Sequence, residues 1–198
     1  MEWRWKNKDK YIELGEKFVI APPWAETERE KITFVKGVSF GTGAHETNVS
    51  CIKFLEKVPL ENATVLDIGI GSGILSIAAL KLGADKAVGF DIDEKAVEEC
   101  VENGKLNNVK NLECFCADSM EKVEGSFDVI LANIFADIIV FMKNDINKHI
   151  KNKGYLLLSG VVWEENYTVR AAFEKLGFKT LKNEFLKDYS TILLQKIG

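Results

Sequence analysis

The stretch that decides the fold is ATVLDIGIGSGILSIAALKLGADKAVGFD, residues 63–91. The apolar run at 63–68 predicts a strand, and the glycine-rich residues after it predict a turn. Residues 74–82 then predict a helix, and residues 86–90 predict a second strand. Because a strand, a helix and a second strand in this order form a βαβ unit, the sequence predicts an α/β fold with a mostly parallel, Rossmann-like sheet.

The spacing of the glycines in this turn indicates which ligand it serves. Gly69, Gly71 and Gly73 follow a G-x-G-x-G pattern, and Ile74 stands where a dinucleotide-binding fingerprint has its third glycine. Asp67 lies two residues before the first glycine. A carboxylate at a helix N-terminus would repel a pyrophosphate, whereas it would attract an ammonium or a sulfonium.

We therefore expect S-adenosylmethionine as the cofactor. Asp67 would lie near its methionine end, and Gly69 and Gly71 would lie under the ligand together with the N–H groups of the helix start. Asp91, 20 residues after Gly71, would accept hydrogen bonds from the ribose hydroxyls. The alternative is a tight strand-to-helix turn without any ligand.

Composition narrows the class of protein. The chain has 198 residues, 46% of them hydrophobic, which suits one domain with a small appendage. Its net charge of −4 gives no electrostatic footprint for nucleic acid. Four cysteines without C-x-x-C spacing and only two histidines make a metal site unexpected. With no uncharged apolar window of 18 residues and no leader pattern, we expect a cytoplasmic protein that does not bind membranes.

Residues 1–37 differ in pattern from the rest of the chain. Short alternating and β-branched runs at 11–14, 17–20 and 32–35 predict a small antiparallel β meander. We expect it to pack on the main domain, residues 38–198. Four aromatic residues of this segment could face a substrate, although covering a hydrophobic edge is the favoured role; they are Trp3, Trp5, Phe18 and Trp24.

A polar elbow, FGTGAHETN at residues 40–48, precedes an amphipathic helix. Thr47 or Asn48 would be a suitable N-cap for that helix. Capping does not explain why Gly41 and Gly43 are present.

Several motifs together resemble one known family. They are the elbow F-G-T-G-x-H-x-T, the run V-L-D-x-G-x-G-S-G-I-L-S-I-A-A-x-K-L-G-A, D-I-D-x-x-A-V and A-N-I. This pattern, from about Gly15 to the C-terminus, resembles the PrmA-type methyltransferases, which methylate the eleventh protein of the large ribosomal subunit. The resemblance implies a seven-stranded class I methyltransferase domain with cofactor contacts at the end of the elbow, Gly69, Asp91 and Asn133.

The chain departs from this family at two places. In the family the elbow usually ends H-P-T-T and its last threonine touches the cofactor, whereas this chain has Glu46 and Asn48 there. An asparagine can still donate and accept, so we retain Asn48 as a cofactor contact, together with Thr42 of the same elbow. The bacterial enzymes also carry an N-terminal substrate-recognition domain, and only some 37 residues precede the elbow here. A ribosomal target therefore does not follow automatically.

Four polar or glycine positions each follow one of four consecutive predicted strands: Gly69, Asp91, Asp118 and Asn133. Ligands of open α/β sheets bind beyond the carboxyl ends of the strands, so we expect these residues at one edge. In class I methyltransferases an acid at the position of Asp118 commonly meets the adenine amino group, although capping of the turn is an equal alternative. Amino-methyltransferases place an asparagine at the position of Asn133 to accept hydrogen bonds from the target nitrogen.

The remaining elements look structural. We expect helices at 94–107, 137–150 and 163–176, strands at 112–117, 127–132 and 155–159, and a closing antiparallel pair at 178–184 and 190–196. The link 118–126 is too short for a helical crossover.

The sequence thus favours an S-adenosylmethionine-dependent protein N-methyltransferase acting on lysine or an N-terminal amine, and the resemblance makes a large-subunit ribosomal protein the candidate substrate. Two alternatives stay open. One is a methyltransferase for a small molecule or a nucleic acid base, and the other is a non-catalytic cofactor-binding protein.

Overall fold

A computed structural model of the chain describes residues 11–34 and 45–198. Its strands are β1 (Ile12–Leu14), β2 (Phe18–Ile20), β3 (Glu30–Ile32), β4 (Thr64–Ile68), β5 (Lys86–Asp91), β6 (Leu112–Cys116), β7 (Phe127–Asn133), β8 (Ile150–Val162), β9 (Phe178–Phe185) and β10 (Tyr189–Lys196). Its helices are α1 (Glu46–Leu55), α2 (Ile74–Lys81), α3 (Glu94–Leu106), α4 (Ala136–Phe141), α5 (Lys143–His149) and α6 (Asn166–Glu174). Short 3-10 turns occupy Met120–Lys122 and Trp163–Glu165.

Strands β4 to β10 form one seven-stranded sheet in the order β6-β5-β4-β7-β8-β10-β9. The pairs from β6 to β8 are parallel, and β10 runs antiparallel to both of its neighbours. The predicted seven-stranded, mostly parallel sheet with an antiparallel last strand is confirmed. The sheet order reverses between β4 and β7, and in α/β folds ligands bind at such a point.

The sheet is covered on both faces, and each face has its own apolar core. On β4, Val65 packs into one core and Leu66 into the other, and both side chains are fully buried. Strands buried on both faces are expected to be continuously apolar instead of alternating, and the buried part of β4, residues 65–68, follows this rule except at Asp67. Asp67 is therefore an exception that requires its own explanation.

The N-terminal sheet differs from the predicted meander. Strand β2 pairs with β1 in antiparallel register, but β3 runs parallel to β2, so the prediction of an antiparallel arrangement is wrong for β3. Residues 21–29 reverse direction at a turn in which Ala25 N donates to Pro22 O at 3.0 Å. This segment carries the chain back to the same end of the sheet, and β3 therefore starts beside the start of β2.

Of the four aromatic residues considered in this segment, the structure describes two. Phe18 is fully buried in the core that also contains α1 and α2, and Trp24 is 67% exposed. Trp3 and Trp5 lie outside the described residues, as does the proposed domain boundary near residue 37.

Two buried or bridging side chains attach this small sheet to the main domain. Asn107, after α3, accepts a hydrogen bond from Thr33 N at 2.9 Å and donates to Thr33 O at 2.6 Å. The carboxylate of Glu56, after α1, accepts from Glu16 N and Lys17 N at 2.8–2.9 Å. These bonds satisfy backbone groups that no strand of the N-terminal sheet pairs.

Most helix predictions agree with the structure. The predicted helix 137–150 divides into α4 and α5 at Met142, and Ile150 begins β8. On α3, the apolar Val101 is exposed and the polar Asn103 is buried. The link to β7 contains a single 3-10 turn, as its length requires. No helix in the described ranges is long and apolar enough to cross a membrane.

We expect Asn107→Ala to lower the free energy of unfolding by about 1–3 kcal/mol, because Thr33 N and O would be left buried without partners. Denaturant titration measures this change. Asn152→Ala, at an exposed position of β8, is the matched control and should change stability by less than about 0.5 kcal/mol. Equal losses in the two variants would show that Asn107 does not hold the small sheet.

Candidate functional site

A cleft of about 700 Å³ opens beyond the carboxyl ends of β4 to β7. Seven of the eight predicted site residues line it: Asn48, Asp67, Gly69, Gly71, Asp91, Asp118 and Asn133. Thr42, the eighth, lies outside the described residues. The structure therefore brings the seven together, and the binding role of each stays a prediction.

The glycine turn lies at the floor of this cleft and adopts a backbone that other residues rarely accept. The φ angles of Gly69, Gly71 and Gly73 are +70°, +52° and +79°. A Cβ on Gly69 would also collide with the side chain of Ile134, and one on Gly73 would come within 2.7 Å of Cys100 Sγ. Positive φ at all three positions, and close packing at Gly69 and Gly73, explain why glycine occupies them.

The N–H groups of the turn are already used within the protein. Gly69 N and Ile70 N both donate to Phe90 O at 2.9 Å, and Gly71 N donates to Asp91 Oδ2 at 2.9 Å. These three N–H groups close the turn against β5 and are therefore not free to bind a ligand. A loop whose donors are satisfied in this way is poorly suited to hold phosphate.

Asp67 projects from β4 beneath the turn and is only 2% exposed. Its Oδ2 accepts a hydrogen bond from Ser76 Oγ on α2 at 2.7 Å. Burial raises the pKa of the Asp67 carboxyl to about 7; hydrogen bonds from Ser76 oppose this shift, and the charge of Asp91 adds to it. A cation arriving in the cleft would stabilise the ionised form.

Asp91 and Asp118 differ in how the protein uses their carboxylates. Asp91 accepts from Gly71 N at 2.9 Å and from Asp93 N at 3.0 Å. Because an ionised carboxylate offers about four acceptor sites, Asp91 retains capacity for ligand hydroxyls. Asp118 is exposed and makes no hydrogen bond within residues 11–34 and 45–198, so the alternative role of turn capping is not observed there.

A polar network connects α1 to the end of β7. Asn133 Nδ2 donates to Asn48 Oδ1 at 2.8 Å and to Thr47 Oγ1 at 3.2 Å. The N-cap of α1 is His45, whose Nδ1 accepts from Thr47 N, so the prediction that Thr47 or Asn48 caps the helix is wrong. Thr47 and Asn48 are instead buried, at 3% and 4% exposure, and face β7.

Sequence reasoning missed several residues that build the site. Ser76 holds Asp67, Asn103 donates from α3 to Ser72 O at 2.9 Å, and Tyr189 lines the cleft from β10. Ser76 was a usable signal, because the other residues from Ile74 to Leu80 are apolar and a hydroxyl buried among them needs a partner. Nothing in the sequence indicated Tyr189, which is distant from the other residues along the chain.

The Asp, Glu, Lys and Arg side chains that line the cleft in the described part of the chain are all acidic. Asp67, Asp91, Asp93 and Asp118 line it, and the lining residues within the described part of the chain include no lysine or arginine. In that part of the chain no group of three or more His, Cys, Asp or Glu side chains is arranged to hold a metal ion. Such a cleft favours a cationic organic ligand and disfavours a phosphate.

Comparison with known sequences identifies relatives. The family model described as ribosomal protein L11 methyltransferase (PrmA) matches residues 1–197. The ribosomal protein L11 methyltransferase of Caldanaerobacter subterraneus subsp. tengcongensis is 39% identical over 98% of this chain, and that of Clostridium perfringens is 40% identical over 90%. The chain spans 64% and 58% of the lengths of these relatives.

Comparison with solved structures agrees with these sequence matches. The crystal structure of ribosomal protein L11 methylase from Lactobacillus delbrueckii subsp. bulgaricus has a TM-score of 0.87 and 26% identity, covering 95% of this chain and 99% of that one. The T. thermophilus 16S rRNA N2 G1207 methyltransferase, in complex with AdoMet and guanosine, has a TM-score of 0.67 over 80% of this chain and 45% of that one. At 20% identity the latter shows the shared class I methyltransferase fold alone.

The raised pKa of Asp67 predicts a pH dependence of stability in the unliganded protein. Between pH 3.8 and about 7 the native state retains a proton that the unfolded state has lost, so the free energy of unfolding falls as pH rises through this window. The total change attributable to Asp67 is about 4 kcal/mol. Asp67→Asn should remove this component in urea titrations at several pH values, whereas Asp145→Asn, at an exposed position, should retain it. If the free energy of unfolding depended on pH in the same way for wild type and Asp67→Asn, the raised pKa of Asp67 would be refuted.

Proposed function

Since this chain belongs to the ribosomal protein L11 methyltransferase (PrmA) family, we propose that it uses S-adenosylmethionine to methylate an amine nitrogen of a protein. The observation that carries the proposal is the cleft itself. Four aspartates and two asparagines line it, and the lining residues in the described part of the chain include no lysine or arginine. The carboxylates attract a cationic methyl donor, and the carboxamides can bind an amine acceptor.

The described residues fit the cofactor. Asp67, buried with a raised pKa, suits the ammonium of the methionine end, and Asp91 retains acceptor capacity for the ribose hydroxyls. Asp118 has an unused carboxylate for the adenine amino group, and Asn48 lies where the elbow meets the cleft. Gly69 and Gly71 leave room for the chain of the ligand, since no Cβ stands between backbone and cleft. Thr42 remains a proposed contact from sequence alone.

Asn133 is the residue that we assign to the target nitrogen. Its Nδ2 is occupied by Asn48 and Thr47, while its Oδ1 accepts no hydrogen bond within the described chain. A carboxamide oxygen at the cleft can accept a hydrogen bond from an incoming amine and orient the nitrogen lone pair. The bound cofactor would supply an electrophilic methyl group on a sulfonium.

The amine must lose a proton before transfer. At pH 7 a lysine with an ordinary pKa near 10.4 needs about 5 kcal/mol for this step. Phe135, Ile138 and Met142 line the same cleft. Their apolar side chains would disfavour the ammonium form of the amine and so lower the free-energy cost of removing its proton. Methyl transfer of this kind depends on positioning and on the exclusion of water, for which these residues are suited.

A protein substrate is favoured over a nucleic acid. A cleft lined by carboxylates repels phosphates, which argues against a base in a nucleic acid chain. Two large aromatic residues stand exposed on and beside α4, Phe135 at 71% and Phe141 at 81%, and exposed aromatics are typical of protein contacts. By analogy with the named relatives, we propose a lysine or an N-terminal amine of ribosomal protein L11 as the target, which would place the reaction in the cytoplasm.

Cofactor binding should be coupled to proton release. Because the ammonium of S-adenosylmethionine would favour ionised Asp67, its affinity should rise with pH up to about 7 and then level off. Calorimetry in buffers of different ionisation enthalpy at pH 6 should show release of up to one proton for wild type and none for Asp67→Asn. Tight NAD binding without S-adenosylmethionine binding would end the cofactor assignment.

The reaction itself can be tested with ribosomal proteins from a strain that lacks this gene. Incubation with S-adenosylmethionine carrying a tritiated methyl group should label one large-subunit protein, and mass spectrometry should place the label on an amine. Asn133→Ala should lower turnover at saturating cofactor by about 100-fold, whereas the matched variant Asn152→Ala should behave as wild type. Label in nucleic acid or small molecules would support the alternative enzyme class, and no label in any fraction would support a non-catalytic role.

A further inference from the structure

We propose that His45 is a positioning residue, which acts through Thr47 to hold the Asn133 carboxamide with its oxygen toward the target amine. This inference rests on the proposed function, because it concerns the orientation of the group assigned to the amine. It gives a role to the one histidine of the elbow, which lines the cleft beside Thr47 and Asn48.

The contact between Asn48 and Asn133 does not by itself fix the orientation of either amide. A carboxamide has an oxygen and a nitrogen of similar size, and two facing asparagines form one hydrogen bond whichever of them donates. With the opposite orientation, the NH₂ group of Asn133 would face the cleft. A donor there would compete for the lone pair of the target nitrogen, so the orientation decides whether Asn133 assists or opposes the transfer.

His45 removes this ambiguity because it caps α1. The backbone N–H of Thr47 can only donate, and it points to His45 Nδ1 at 3.4 Å. Nδ1 must then be an unprotonated acceptor, and the ring proton lies on Nε2. Thr47 Oγ1 lies 2.7 Å from the same Nδ1, so its hydroxyl hydrogen must be donated to the ring.

The direction of the hydrogen bond between Thr47 and His45 determines the orientation of the Asn133 carboxamide. With its hydrogen donated to His45, Oγ1 can only accept from Asn133, which lies 3.2 Å away through Nδ2. The NH₂ group of Asn133 therefore faces Thr47 and Asn48, and Oδ1 faces the cleft. Thr47 and Asn48 are 3% and 4% exposed, so water does not compete for these bonds.

The same geometry argues against His45 as the general base. The lone pair of Nδ1, the site on a neutral imidazole that could take a proton, is occupied by two donors of Thr47. The ring is also held at its edge by Tyr189, with ring centroids 5.4 Å apart. A histidine fixed in this way orients its neighbours and does not exchange protons with a substrate.

The first test is independent of catalysis. The chain has only two histidines, so ¹⁵N-histidine NMR at pH 8.5 gives two sets of ring signals, and His149→Gln identifies those of His45. We expect the tautomer with an unprotonated, hydrogen-bonded Nδ1 and a protonated Nε2 for His45. A proton on Nδ1 would overturn the proposal whatever the enzyme methylates.

The second test separates positioning from folding and from cofactor binding. Thr47→Val preserves the shape of the side chain and the cap N–H but removes the hydroxyl, and we expect kcat to fall by about 10- to 100-fold with cofactor Kd and Tm nearly unchanged. Thr47→Ser, which retains the hydroxyl, should have a kcat close to that of wild type. His45→Asn, which can cap the helix and accept but offers no imidazole, should retain turnover that His45→Ala loses.

These outcomes distinguish the two levels of the proposal. Unchanged kcat in Thr47→Val, a loss of kcat that only follows a loss of cofactor affinity, or a His45→Asn variant as inactive as His45→Ala would each overturn the positioning role. Absence of methyl transfer by the wild-type protein would instead contradict the proposed function, and the NMR experiment would still decide the tautomer of His45.

Discussion

The closure of the glycine turn against β5 is the constraint on which the site depends. Phe90 O accepts two N–H groups of the turn, and Asp91 Oδ2 accepts a third, so the end of β4 is fixed to the end of β5. Only residues tolerant of positive φ can make this turn. The fixed turn sets the distance between Asp67 beneath it and Asp91 beside it, and thereby the position of any ligand between them.

Burial of a carboxylate beneath the turn is unfavourable unless a ligand or a proton compensates for it. Asp67 lies in the middle of an otherwise apolar strand, and its only described side-chain partner is the Ser76 hydroxyl. Because the ionised carboxylate is poorly compensated in the unliganded protein, the site favours a cationic ligand. The remaining aspartates of the cleft extend the same preference outward, where a target amine would enter.

The disagreements between sequence and structure have a common origin in contacts between distant segments. The direction of β3 depends on how residues 21–29 cross the small sheet, and β-branched composition does not encode direction. On α3, the polar Asn103 is buried and donates to Ser72 O, whereas the apolar Val101 is exposed. His45 displaces Thr47 as the cap because Thr47 is required by Asn133, a residue 86 positions later. In the last two cases a polar side chain bonds to a distant segment, which the local sequence pattern could not show.

The sequence by itself determined the βαβ core, the sheet with its antiparallel last strand, and the edge at which the polar residues gather. These follow from hydrophobic periodicity and from the rule that parallel strands end at one edge, both of which are local or topological. Only the tertiary structure decided which donors and acceptors remain available: that the N–H groups of the glycine turn are occupied, that Asp67 is buried, and that Asn133 presents its oxygen. The physical reason is that hydrogen bonds are saturable, so the availability of each group depends on neighbours that only the folded chain supplies.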